Sequence, residues 1–154
     1  MTGPSLPPAI LRQTRRSLPI ALLRARETVM GPIREMLSKS GINEQKWRVL
    51  RVLDERGPSE LTIVAKDACL LLPSLTRIIR AMESEGLLTR ATDVEDRRKS
   101  IAVITQTGRA LILAHMAESN AIFARLEQDF GPAKLESLLD LLDDLQTLDL
   151  YRPG

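Results

Sequence analysis

The chain has 154 residues, 44% of them hydrophobic and 27% charged, the proportions of an ordinary globular protein of one domain. No uninterrupted apolar run of about 18 residues is present, which excludes a membrane-spanning helix, and one cysteine and one histidine leave no disulfide framework, no zinc site and little material for general-base chemistry. Aromatics at 3% argue against holding single strands by base stacking, and Pro4, Pro7 and Pro8 with no apolar run behind a basic start predict no secretory signal, hence a cytoplasmic, mostly helical protein needing no cofactor and no metal.

The formal net charge of +2 is unevenly spread. It is +6 over residues 1–59, zero over 60–108 and −4 over 109–154. Such a gradient suits orientation on a polyanion, although it also occurs in proteins with no such partner.

Residues 1–11 read as a loose arm, because three prolines block a helix. From about Arg12 a helical period begins, with Leu18, Leu22, Ala25, Val29, Ile33 and Leu37 on one face. Pro32 predicts a kink rather than a stop, and Gly41 ends the helix. Asn43 is an N-cap for a second helix over about Glu44 to Arg56, with Trp47, Leu50 and Leu53 inward and Gly57-Pro58 as terminator. A short third helix falls between Glu60 and Cys69. A fourth begins at Pro73, whose missing N–H costs nothing in a first turn, and ends near Gly86. Its core face is Leu75, Ile78, Ile79 and Met82.

The pattern then turns from helical to extended. Leu88–Thr92 and Ser100–Ile104 are β-compatible and flank the charged run 93–99, which predicts a hairpin with a long tip. Thr105 caps a long helix to about Phe130. Gly131-Pro132 breaks it, and a last helix carries Leu135, Leu138, Leu139, Leu142, Leu145 and Leu148. That stripe is too apolar for a lone terminal helix and predicts burial against a partner.

Two short helices joined by a tight turn and followed by a hairpin make a winged helix-turn-helix. A helix that enters the major groove must present small polar and basic side chains, since bulky ones block approach to base edges. Ser74, Thr76, Arg77 and Arg80 meet that need, and the start at Pro73-Ser74 leaves backbone N–H groups for a phosphate. A wing needs cations at its tip for phosphates or the minor groove, and Arg97, Arg98 and Lys99 supply them. Asp96 is expected to hold one of those guanidinium groups in direction. Either cluster alone suits a merely solvated surface. Their order and spacing together point to double-stranded DNA.

These residues carry a resemblance. Pro73-Ser74-Leu75-Thr76-Arg77, Met82-Glu83-Ser84-Glu85-Gly86-Leu87, Asp93-Val94-Glu95-Asp96-Arg97-Arg98 and Ile104-Thr105-Gln106-Thr107-Gly108 resemble the MarR family of bacterial transcriptional regulators in order and spacing. Ser17-Leu18, Ala21-Leu22-Leu23, Ala25-Arg26-Glu27, Glu44-Gln45, Trp47-Arg48 and Ala68-Cys69 are similar to the subgroup that represses homoprotocatechuate (4-hydroxyphenylacetate) degradation operons. Pro32 and the third-helix run Thr62-Ile63-Val64-Ala65-Lys66-Asp67 depart from that subgroup. The resemblance implies a homodimer on a palindromic operator, released by a small, often phenolic, ligand.

The expected architecture is therefore mainly α with a small β-wing, one domain over 1–154. Within it, 43–108 form the winged helix-turn-helix, and 12–40 and 109–150 form dimerisation helices. The expected function is a repressor of an aromatic-compound catabolic operon released by a small aromatic acid. The alternatives are a regulator of stress or efflux genes with another effector or none, and a winged helix used only for protein contacts. No nucleophile–base pair, phosphate loop or carboxylate pair suggests an enzyme.

An aryl carboxylate needs a cation in a mostly apolar pocket. Arg16 and Arg26 are the candidates for the cation, with Trp47 and His115 as pocket residues and Ala25, Val29, Leu50 and Leu111 as further lining. Cys69, amid Ala68, Leu70 and Leu71, reads as a buried small hydrophobe rather than a redox sensor.

Overall fold

Pro19 decides where the first long helix begins. The computed structural model describes Gly3 and residues 13–151. In it Thr14–Arg16 form a single 3-10 turn and helix α1 runs Leu18–Ser38. A helix beginning at Arg12 would place the Pro19 ring against the carbonyl four residues back, and a proline is tolerated only in a first turn, where Pro19 now sits. The expected start is corrected accordingly. Apart from Gly3, the arm at 1–11 and Arg12 lie outside the described residues. Pro32 does not stop α1, which continues to Ser38.

Helix α2 (Glu44–Arg56) follows the expected bounds for local reasons. Asn43 Oδ1 accepts the Lys46 N–H at 2.9 Å, the N-cap bond. At the other end Gly57 takes a φ of +82°. Strand β1 (Ser59–Glu60) and helix α3 (Leu61–Asp67) come next. The turn after α3 is closed by Cys69 N–H on Lys66 O at 3.2 Å and Leu70 N–H on Ala65 O at 2.9 Å. This is the Schellman pattern, which puts Cys69 at the left-handed position usually given to glycine. Its φ is +54° and it is exposed. The expectation of a buried Cys69 fails because the turn geometry aims that side chain outward whatever its hydrophobicity.

Helix α4 (Leu72–Ser84), strands β2 (Leu88–Thr92) and β3 (Ser100–Ile104), and helices α5 (Gln106–Phe130) and α6 (Pro132–Gln146) complete the order. The sheet is antiparallel with order β1-β3-β2. Leu88 faces Ile104 and Thr92 faces Ser100 across the hairpin, while Ser59 and Glu60 face Ala102 and Ile101. The third strand, absent from the sequence reading, is two residues long and pairs with a segment some forty positions away.

The chain divides into two compact units, Met1–His115 and Met116–Gly154. In the first, Met36 and Leu37 of α1, Leu50 and Leu53 of α2, Val64 of α3, Leu75, Ile79 and Met82 of α4, Leu88 of β2 and Ile112 of α5 are fully buried. Thr105 fastens α5 to the hairpin. Its hydroxyl donates to Gly86 O at 2.6 Å and accepts the Gly108 N–H at 3.1 Å. In the second unit α6 has no buried residue, and Leu138, Leu139, Leu141 and Leu148 are exposed. No helix among the described residues is long and apolar enough to cross a membrane.

Candidate nucleic-acid interface

Helix α4 has two faces. Leu75, Ile78, Ile79 and Met82 are buried, at the i, i+3, i+4, i+7 spacing of one stripe. Pro73, Arg77, Arg80 and Ser84 are exposed on the opposite side, with Ser74 and Thr76 partly covered at its edges. Thr76 Oγ1 donates to Leu72 O at 3.0 Å. No side chain caps the start of α4.

The wing tip is organised by its own carboxylates. Asp93 Oδ1 accepts the Glu95 N–H at 3.1 Å. Asp96 Oδ1 accepts both the backbone N–H of Arg98 at 3.1 Å and its Nε at 3.2 Å. Those two bonds, the backbone one foremost and with Lys99 adding its charge, hold the Asp96 carboxyl below the ordinary aspartate range. Asp96 thus directs a guanidinium, the expected role.

The cations here divide by partner. Lys99 Nζ lies 3.0 Å from Glu60 on β1, and that hydrogen bond and charge raise its pKa. Arg90 on β2 pairs with Glu83 of α4 at 3.2 Å. Among the described residues Arg77, Arg80 and Arg97 have no ion-pair partner, and Arg98 keeps most of its guanidinium in water. The free cations therefore sit on the outer face of α4 and at the wing tip. Glu60 and Arg90 went unnoticed in the sequence, since nothing local links positions 60 and 99. A cavity of about 210 Å³ lies between these parts, lined by Glu60, Thr62, Leu72, Thr76, Arg98 and Ser100 among others.

The four candidate effector residues separate. Trp47 and His115 are both buried and meet edge to face, with ring centroids 5.8 Å apart at 87°, a favourable aromatic arrangement. His115 Nε2 is 2.7 Å from Ser40 Oγ. Arg26 instead pairs with Glu44 at the start of α2. Arg16 is exposed in the 3-10 turn. Arg34 takes a fork on Glu27 at 2.8 and 2.7 Å and reaches Glu44 at 3.2 Å. The Arg34 bond lowers the Glu27 pKa, and Glu27 in turn raises that of Arg34. A cavity of about 430 Å³ beside this network is lined by Arg26, Arg34, Ser38, Ile42, Glu44 and Arg48 among others. Of the expected pocket residues only Arg26 lines it. Leu50 is fully buried core.

A recognition helix with an arginine face beside a basic hairpin defines a winged helix-turn-helix protein. The comparisons agree. The MarR family model matches residues 42–100. The chain is 35% identical over 132 residues to the homoprotocatechuate degradative operon repressor of Escherichia coli, covering 86% of this chain and 89% of that one. It is 33% identical over 133 residues to the HTH-type transcriptional regulator FarR of Neisseria gonorrhoeae, covering 86% and 91%. Among solved structures, the transcriptional regulator PA4135 superposes with a TM-score of 0.80 at 33% identity, covering 86% of this chain and 98% of that one. NadR in complex with 4-hydroxyphenylacetate gives 0.74 at 33%, covering 84% and 95%. The chain belongs to the MarR family and is a transcriptional regulator.

Proposed function

We propose that the chain is a homodimeric repressor of an aromatic-compound catabolic operon, bound to a palindromic operator and released by a small aromatic acid. The observation that carries the DNA half is the placement of Arg77 and Arg80 on the open face of α4 beside Arg97 and Arg98 of the wing. Pro73, Ser74 and Thr76 lie at the start of that helix, where a recognition helix meets base edges, and the wing arginines serve the backbone or minor groove. Lys99 acts more through Glu60, by fixing the wing to β1, than as a free cation.

Two recognition helices are needed to read two half-sites one helical turn apart. Leu18 and Leu22 on α1, and Leu138, Leu142 and Leu145 on α6, are the surfaces assigned to the second copy. Leu18, Leu22 and Leu138 are exposed in the single chain. The effector half rests on similarity to a repressor named for homoprotocatechuate degradation and to a regulator solved with 4-hydroxyphenylacetate. Trp47, His115, Arg26 and Arg16 are assigned to that ligand.

The test is a gel shift with the DNA upstream of the protein's own gene, repeated with 4-hydroxyphenylacetate and other phenolic acids. Retarded bands lost with one of those acids are expected. Binding that no aryl acid reverses would leave a DNA-binding regulator with a different signal. Sedimentation showing a stable monomer at micromolar concentration would overturn the dimer.

A further inference from the structure

The N-terminal tip of α4 is apolar. Leu71, its N-cap residue, is 77% exposed, and Leu72 is 41% exposed. With Pro73, also exposed, they place three apolar residues in succession at the tip of the helix. A leucine is a poor N-cap, and Leu71 makes no capping hydrogen bond, where serine, threonine, asparagine or aspartate would stabilise the helix by about 1 kcal/mol. Local helix chemistry therefore does not account for Leu71, and among the described residues none covers more than a small part of it.

Its surroundings say what does. Leu71 immediately precedes the first turn of the helix that carries Arg77 and Arg80, and Leu72 lines the small cavity with Thr76 and the wing residue Arg98. In a helix-turn-helix the first residues of the recognition helix meet the base edges. The only apolar group displayed there by any base is the C5-methyl of thymine. We propose that Leu71 reads thymine methyl groups in the major groove, with Leu72 shielding the contact on the wing side. Each operator half-site then holds a thymine opposite the tip of α4, chosen by desolvation rather than by hydrogen bonds. This rests on the DNA-binding reading of α4 and extends it to one base.

Uracil differs from thymine only by that methyl group, so the test is direct. The full chain selects duplexes from a random-sequence library. Each thymine of the selected half-site is then replaced by uracil, one at a time, and affinities are measured for the parent and for Leu71→Ala and Leu72→Ala. One buried methyl is worth about fourfold in affinity. The parent should lose about that factor at one or two thymines per half-site, and Leu71→Ala should bind thymine and uracil duplexes equally there. Leu71 is exposed, so the variant should keep the parent's helix content and sedimentation, which are measured alongside. Uracil with no effect at any position, or with the same effect on parent and Leu71→Ala, overturns the proposal while DNA binding stands. If the library yields no preferred duplex, the DNA-binding reading and the proposal fall together.

Discussion

Asp96 and Arg98 close the wing tip on themselves: one carboxylate oxygen accepts both the backbone N–H and the Nε of the residue two places on. The guanidinium that would face DNA is thus aimed before any DNA arrives, and less side-chain freedom is lost on binding. The carboxylate that does this lies below the ordinary aspartate range. A depressed folded-state pKa contributes stability that is complete above the unfolded value and is lost as pH falls through the folded one. The wing tip should therefore hold its geometry throughout the neutral range and loosen only below about pH 4, the ordinary aspartate value. Following the Arg98 amide by NMR should give a midpoint below that value. Asp96→Ala should remove the transition, and an ordinary midpoint would show that the contact does not persist in solution.

Arg77 and Arg98 should differ in kind. Arg77 projects from the helix and, if it meets a base edge, its replacement by alanine should cost about 1–3 kcal/mol and relax specificity at one position. Arg98→Ala should weaken binding to all sequences more evenly and lower the salt slope by roughly one unit. Both can be read by fluorescence anisotropy across a salt series. Parent-like binding by both variants to operator and to random DNA would show that neither faces the duplex.

Gly108 is required by space rather than by backbone freedom. A Cβ built there would lie 2.3 Å from Leu87 O and 2.8 Å from Ile104 Cγ1, and Leu87 O already accepts the Thr105 N–H at 3.1 Å. Neither the carbonyl nor the first turn of α5 can withdraw without breaking that joint. Gly108→Ala should destabilise by about 1–3 kcal/mol, the range for overpacking. Thermal unfolding should show a loss of about 2–4 °C for each of them. An unchanged midpoint would mean that α5 docks less closely.

Much of this was legible because it is local. Asn43, Gly57, Gly86 and Thr105 mark ends that the structure places where the sequence put them, and the β-compatible segments on either side of the charged run located both hairpin strands to the residue. Part of what was missed depends on distant pairing. Ser59 and Glu60 are too few to show a period, and become a strand only because β3 runs beside them. The partners of Arg26, Arg34 and Lys99 are set by the crossing of elements, so a count of arginines could not say which were already engaged. Cys69 was misplaced because hydrophobicity does not report which side of a turn a residue occupies.

Cys69 offers a stability test of that lesson. A non-glycine residue in the left-handed region costs about 1–2 kcal/mol, partly offset in a glycine variant by its looser unfolded chain. Cys69→Gly should gain up to about 1 kcal/mol, and Cys69→Val should lose at least as much, because β-branched residues fit this region worst. Urea unfolding of both variants measures it. A destabilised glycine variant would mean that the thiol makes a contact outweighing the strain.

Effector binding should report on Trp47, the one tryptophan of the chain. It sits edge-on to His115, whose ring is held by Ser40 at the end of α1. Both rings are buried away from the cavity that Arg26 lines, so an aromatic acid reaching this pair would have to part α1 from α2 and would change the tryptophan environment and the helix spacing together. Arg26 is the assigned carboxylate partner, but Glu44 already holds it, so a ligand must compete with an internal ion pair. Glu44→Gln should therefore tighten 4-hydroxyphenylacetate binding, and Arg26→Ala should weaken it about tenfold or more, the scale of one charge-assisted contact. Arg16→Ala, altering an exposed residue of the 3-10 turn, tests whether that turn contributes. Since the ligand shifts operator affinity only by its preference for the non-binding form, about 1–3 kcal/mol of coupling is expected. Tryptophan quenching and operator release should share one midpoint. If no aryl acid perturbs Trp47 below millimolar concentration, or if all three variants respond like the parent, the effector assignment fails and the proposed DNA-facing role of α4 and the wing is untouched.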